Sequence, residues 1–422
     1  MDRTSEARGV LRRNDRGRYT VPTAELYPFQ WNWDSAFVAL GWAEFDRGRA
    51  WAEVECLLAA QWPSGMVPHI VFWSDEATYF PGPAVWQTAR SHPATSGISQ
   101  PPVLATVVRR LVATGEHPTL ESICSSIDSW HRWWHAARDP EGRGVIAVSH
   151  PWESGRDNLP DWDRPLAAVD PSSNASLERR DLDLVDAAMR PSHADYERYA
   201  ALIEVGVAHR WDDGAIATNS PFWVADPGVT AILLRAERDL AWIMAAIGAD
   251  TTSVESRIDR LEAGFEQLWN PAARAYCSID LRTGLRAMVG TAASFLGPYA
   301  GVVSHLDDSL AELECWATTA NHLVPSFDPR HADFEPQRYW RGPVWAVVNY
   351  LIATGLAEHG AGDWAERIRR STRGLIERSG MAESFDPVTG AAVGGDRFGW
   401  TAAMWLAWAG RPERSTDHSA PT

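Results

Sequence analysis

Two stretches far apart in the chain set carboxyl groups among aromatic rings. The first, His150–Asp163 (HPWESGRDNLPDWD), holds Glu153, Asp157, Asp161 and Asp163 beside Trp152 and Trp162. A carboxyl group packed against rings loses hydration, which favours its neutral form, and a general acid must keep its proton at working pH. A solvated acidic loop would carry the same acids, but the two Trp and the Ser154-Gly155 turn argue against a plain surface. Spacing alone does not choose among the four. The second stretch, Met381–Gly390 (MAESFDPVTG), has turn chemistry at Asp386-Pro387 and Thr389-Gly390. Glu383 has no such local reason and reads as a carboxylate presented to a cavity, a surface charge being the plainer alternative. One protonated carboxyl and one ionised carboxylate on distant loops are what cleavage of a glycosidic bond requires. Competing chemistries lack their motifs: there is no HExxH, EF-hand loop, P-loop, GxSxG or dinucleotide fingerprint, and no metal site is expected.

Other loops carry polar groups between rings. In Tyr27–Phe37 (YPFQWNWDSAF), Asp34 either caps a helix or grips sugar hydroxyls while Trp31 stacks. Gln61–Trp86 (QWPSGMVPHIVFWSDEATYFPGPAVW) is more polar than a buried structural loop needs; it contains Tyr79, and His69, which by itself reads as a satisfied structural histidine. TSGISQPP sets Gln100 just inside a helix start, facing a pocket or solvent. In Arg338–Trp345 (RYWRGPVW), Arg341 sits beside Tyr339 and Trp340, either pairing with a structural carboxylate or lining a polar pocket. The chain has 23 Trp. Their flat faces suit stacking on sugar C–H groups, although a core position is the plainer reading for any one of them.

Helices must hold these loops. Apolar residues recur at three- and four-residue steps, as in Val229, Ile232, Leu233, Ala236, Leu240 and Ile243. The pattern predicts helices at about 35–47, 49–61, 97–114, 118–137, 193–209, 226–248, 252–269, 308–319, 340–359, 363–379 and 400–409, with a short strand near 144–148. The loops between them are long, which is common where loops carry function. A bundle or an α/α toroid with its loops gathered at one end is expected. Residues 1–16 read as a flexible segment, 17–412 as a single domain, about 163–192 as an irregular excursion or lid, and 413–422 as a disordered tail. The net charge of −16 disfavours nucleic acid and anionic membranes as partners. No apolar run approaches the ~20 residues of a membrane span. The N-terminus is polar, without a signal core, and the cysteines are widely spaced, so a reducing cytoplasm is expected. A homo-oligomer is compatible with all of this.

Taken together, FQWNWDS, GMVPHIVF with YFPGP, TSGISQPP, HPWESGRDN with PDW, YWRGPVW, and AESFDP with FGWT resemble one family. It is the glycoside hydrolase family 63 group of bacterial glucosylglycerate and mannosylglycerate hydrolases. The segments run in family order over nearly the whole chain. The resemblance implies an all-α (α/α)6 barrel, inversion at the anomeric carbon and no cofactor. It makes Asp157 of ESGRDN the general acid and Glu383 of AESFDP the general base. Asp34 would grip the sugar in the cleaved subsite, with Trp31 beside it. Tyr27, Tyr79, Gln100, Arg190, Tyr196, Tyr339 and Trp340 would line the glycerate side, and Arg341 and Trp345 are further substrate-side candidates. The implied substrate is 2-O-α-D-glucosylglycerate or its mannosyl analogue, with Arg190 or Arg341 offsetting its charge. A trehalase-like or oligosaccharide α-glucosidase on the same fold, and a non-catalytic sugar-binding protein, are the alternatives.

Overall fold

The computed structural model describes all residues except 1, 75–78, 89–92, 116, 118, 173–178 and 413–422. The expected tail and part of the expected excursion therefore lie outside the described residues. Helices dominate, with four small antiparallel sheets among the described residues. Asn32–Ala43, Leu104–Val112, Pro227–Ala246, Gly297–Ala300, Ala346–Glu358 and Gly399–Met404 each pack on the next, and the last packs on the first, so the set closes on itself. The longer members are apolar on nearly every side: in 32–43 each residue from Asn32 to Trp42 is buried. Such a helix must sit in the middle of a protein. Outside the ring, Arg47–Leu58 covers 32–43, Leu120–Arg138 and Thr252–Glu266 cover 227–246, and Gly362–Ser379 covers 346–358. The outer helices bury one stripe, as with Ala365, Ile368, Thr372, Leu375 and Ile376.

Most predicted helices appear within a few residues of their expected positions. The 97–114 prediction shortens to Leu104–Val112 because Pro101-Pro102 disfavours helix before it, and Gln100 thus lies ahead of the helix. The 340–359 prediction starts late, at Ala346, since Trp340 takes φ +58° and Pro343 interrupts. Most of the stretch expected to be a flexible segment is helical. Arg3–Asn14 is a helix capped by Asp2, with Ala7, Val10, Leu11 and Asn14 buried, and the Asn14 amide donates to Pro22 O and Arg397 O at 3.0 Å each. Its many arginines masked that apolar stripe. No helix among the described residues is long and apolar enough to cross a membrane.

Buried polar groups tie the long loops to this frame. Glu53, fully buried, accepts from Thr20 Oγ1 (2.8 Å), Ser35 Oγ (2.8 Å), Gln30 Nε2 (3.2 Å) and Arg49 (2.8 Å), which anchors the loop leading to Asp34. Arg138, also fully buried, donates to both oxygens of Glu153 (2.6–3.0 Å) and to Asp213 (3.0 Å), and Glu153 also accepts from Ser149 N at 2.7 Å. The His150–Asp163 loop is thereby clamped to the 120–138 helix. A second buried pair, Arg156 to Asp226 (2.6 and 2.8 Å), joins it to the start of 227–246. Between the pairs the chain turns at Gly155, φ +66°, where a Cβ would lie 2.7 Å from the Trp33 ring.

Removing one partner of a buried pair leaves an uncompensated charge. Arg138→Met should lower the unfolding free energy by about 3–5 kcal/mol in urea denaturation; an unchanged midpoint would mean that Glu153 is not held as described. Gly155→Ala should lose about 1–3 kcal/mol in the same assay, from the left-handed backbone and the Trp33 overlap.

Candidate active site

Four of the six inner helices begin at, or a few residues after, side chains that line a common open cavity. Asp34 stands in the first turn of 32–43, Gln100 just ahead of 104–112, Tyr339 ahead of 346–358, and Trp400 in the first turn of 399–404; all four line it. Asp157 and Glu383, more than two hundred residues apart in the chain, line the same cavity.

Within the acidic loop, burial and partners separate the four carboxyls. Glu153 is consumed by Arg138 and Ser149. Asp161 accepts from Ser278 Oγ at 2.6 Å, and Asp163 binds Arg341 through both oxygens at 2.9 and 2.8 Å. Of the four, Asp157 alone lines the cavity. Burial pushes its carboxyl up to about 7, and Glu383 adds to the rise, while Arg190 and a Trp152 hydrogen bond partly oppose it. It is thus poised to carry a proton near neutrality.

Glu383 follows the 362–379 helix after Gly380 and precedes the strand Ser384–Phe385, which pairs with Ala392–Val393. The hairpin brings Gly395 N to 2.8 Å from Oε2, and a Cβ on Gly394 would overlap that oxygen. Tyr27 Oη donates to Oε1 at 3.1 Å, and Arg190 NH1 lies 3.6 Å from the same atom. Burial raises the Glu383 carboxyl, and Arg190, Gly395 N–H and Tyr27 oppose the rise. All three favour its ionised form. Asp34 is pushed well above the usual carboxylate range by burial, with Glu383 adding to the rise.

The wall holds most of the expected residues. Trp31 stands between Tyr27 and Tyr79, edge-on to each at 5.2 and 5.4 Å. Gln100 Oε1 accepts from Trp33 N at 3.3 Å, so its amide is fixed against the start of 32–43. Arg190 lies 4.4 Å over the Tyr339 ring, and Tyr196 completes that side.

Three expected residues lie elsewhere. Trp340 and Trp345 stack on each other at 3.9 Å and 4° between planes, both buried and neither on the cavity. They form the floor under Tyr339, which meets Trp345 edge-on at 5.2 Å. Arg341 is taken by Asp163 and Glu335, the structural pairing that its sequence left open. Conversely, Trp33, His69, Trp152, Phe398 and Trp400 line the cavity without having been expected to do so. His69 stacks on Trp152 at 6.0 Å, and burial, with His150 nearby, holds it well below the ordinary histidine range. Its place inside a recognisable loop was the available signal. The other four are rings within motifs otherwise rich in core tryptophan, which the pattern could not sort. No group of three His, Cys, Asp or Glu able to hold a metal ion occurs among the described residues.

The chain is similar to known proteins over nearly its whole length. The family model described as the mannosylglycerate hydrolase MGH1-like glycoside hydrolase domain matches residues 27–401. A mannosylglycerate hydrolase of Thermus thermophilus is 45% identical over 408 residues, covering 94% of this chain and 98% of its own. A glucosylglycerate hydrolase of Mycolicibacterium hassiacum is 36% identical, covering 95% and 96%. A crystal structure of a family 63 mannosylglycerate hydrolase from Thermus thermophilus, in complex with Tris and D-glycerate, superposes with a TM-score of 0.92 at 43% identity, covering 96% of this chain and 99% of that one. With both carboxyl-bearing loops inside the matched span, the chain belongs to the MGH1-like family of glycoside hydrolases.

Proposed function

We propose that this protein is an inverting α-glycosidase that hydrolyses 2-O-α-D-glucosylglycerate or 2-O-α-D-mannosylglycerate to hexose and glycerate. The closed ring and the helices packed outside it, 3–14 included, are read as an (α/α)6 barrel. Asp157 protonates the glycosidic oxygen. Glu383, ionised, takes a proton from a water on the opposite face of the ring. The carboxyl groups are expected about 6.5–9.5 Å apart, which leaves room for that water. Asp34 binds sugar hydroxyls, with Trp31 beside the ring. Tyr27, Tyr79, Gln100, Tyr196 and Tyr339 surround the aglycone.

One observation carries the choice of an anionic aglycone. Arg190 is 3% exposed, lines the cavity, and has a buried NH1 that makes no hydrogen bond. A buried guanidinium nitrogen without a hydrogen-bond partner suits a carboxylate. Of the two arginines considered from the sequence, Arg341 is already occupied. The names of the relatives and the D-glycerate of the solved structure support the same reading. Four free cysteines fit a reducing cytoplasm.

Proton NMR of the enzyme with glucosylglycerate tests the reaction. Release of glucose and glycerate, with the β-anomer formed first, is expected; a first-formed α-anomer rules out inversion, and cleavage of trehalose or maltose in its place rules out the substrate. Asp157→Asn and Glu383→Gln should each lower kcat by about 10²–10⁴-fold, with sugar binding retained. The pH profile should be bell-shaped. Activity should fall above a pH of about 7, as Asp157 loses its proton, and fall on the acid side as Glu383 gains one. In Asp157→Asn any residual activity should lack the alkaline limb, and a limb that persists would assign it to another group.

A further inference from the structure

Arg190 is held firmly at one end of its guanidinium. Its Nε donates to Asp181 Oδ2 at 3.1 Å. At the other end NH1 stops 3.6 Å from Glu383 Oε1 and makes no hydrogen bond. Asp181 is itself anchored: Arg179 Nε and NH2 each donate to it at 2.8 Å, and the Arg179 guanidinium lies 3.6 Å over Tyr196. The two arginines hold Asp181 below the usual carboxylate range. Asp181 does not line the cavity of Asp157 and Glu383. It lines a neighbouring cavity that shares Tyr27, Tyr79, Arg190 and Tyr196 with the first.

We infer that Asp181 is a positioning residue that sets the preference for an anionic aglycone, by holding Arg190 short of Glu383 so that NH1 stays open to a substrate carboxylate. The inference rests on the proposed reading of the substrate.

An arginine this close to a carboxylate, if free to move, closes to ~2.7–2.9 Å. The Nε anchor prevents that closure. The remaining groups facing Arg190 do not substitute for the anchor. Tyr27 and Tyr339 lie against the guanidinium by their ring faces, Tyr196 and Asp157 feel its charge, and Arg338 meets only its carbonyl, at 3.2 Å. An incoming carboxylate therefore meets a fixed cation with a free N–H beside the base. Without Asp181, Arg190 settles on Glu383. NH1 is lost to the substrate, and the base is held more strongly in its ionised form, which makes it weaker. Loss of the Asp181 charge, which raises Glu383, acts in the same direction.

The test uses full-length Asp181→Asn and Asp181→Glu. Their kcat and KM are measured across pH on glucosylglycerate and on glucosylglycerol, which has the same linkage without the carboxylate. D-glycerate and glycerol are titrated calorimetrically into the same proteins, with thermal unfolding as the check on folding. Asp181→Asn should raise KM for glucosylglycerate about tenfold, as loss of ~1.4 kcal/mol of binding would, and leave that for glucosylglycerol within about twofold. It should weaken D-glycerate by a similar factor and move the acidic limb of kcat to lower pH. Asp181→Glu, which keeps the charge that Asp181→Asn removes, should recover most of each effect. Equal losses on both glycosides with an unmoved limb would reduce Asp181 to a structural role and overturn the inference. If the wild-type enzyme cleaves neither glycerate glycoside, the substrate reading fails by itself. The calorimetric arm still decides: equal D-glycerate affinity in wild type and Asp181→Asn overturns the role of Asp181.

Discussion

A buried cation beside two buried carboxyl groups is the constraint that organises this molecule. Ions removed from water are costly unless each finds partners, and the partners here are unequal. Glu383 has a backbone N–H, a tyrosine hydroxyl and Arg190 within reach, all favouring its anion. Asp157 is buried as well, with Arg190 and a Trp152 hydrogen bond favouring its anion, but the negative charge of Glu383 works against its own. Two side chains of nearly the same intrinsic chemistry are thereby set in unequal surroundings. In the proposed mechanism that inequality separates an acid from a base in a single cavity.

Keeping such a pair apart and pointed correctly needs a stiff surround. The fold supplies it by starting four of its six inner helices at or near the cavity, so that first turns and residues ahead of them form part of the wall. The N-terminal ends of helices also carry partial positive charge. The long loops are not loose. Glu53, Arg138 and Arg156 each sit in a buried network that fastens one loop to one helix. Buried charged hydrogen bonds of this kind rigidify what they join.

The tryptophans divide by what covers their faces. Trp340 and Trp345 cover each other and carry Tyr339 above them. Trp31, Trp33, Trp152 and Trp400 contribute surface to the cavity. A flat apolar face beside polar edges is what a sugar offers as well, so the same residue type serves as floor and as wall.

Much of this was legible in the sequence because helical periodicity is local and the motifs are short. The helices, the two carboxyl-bearing loops, and Tyr27, Trp31, Asp34, Tyr79 and Gln100 follow from residue type, spacing and family resemblance. The helix 3–14 was hidden by its arginines, whose charge outweighs three buried apolar residues in any composition reading. The sequence could not separate Arg190 from Arg341, or cavity tryptophans from floor tryptophans, because each choice depends on which group the folded chain sets against which, whether that group is five residues away or nearly two hundred. Asp163 reaches Arg341, Asp181 reaches Arg190, and Trp345 reaches Trp340. Residue chemistry was set by the chain; its distribution between scaffold and site was decided by tertiary packing, since burial and charge pairing exist only between parts that folding brings together.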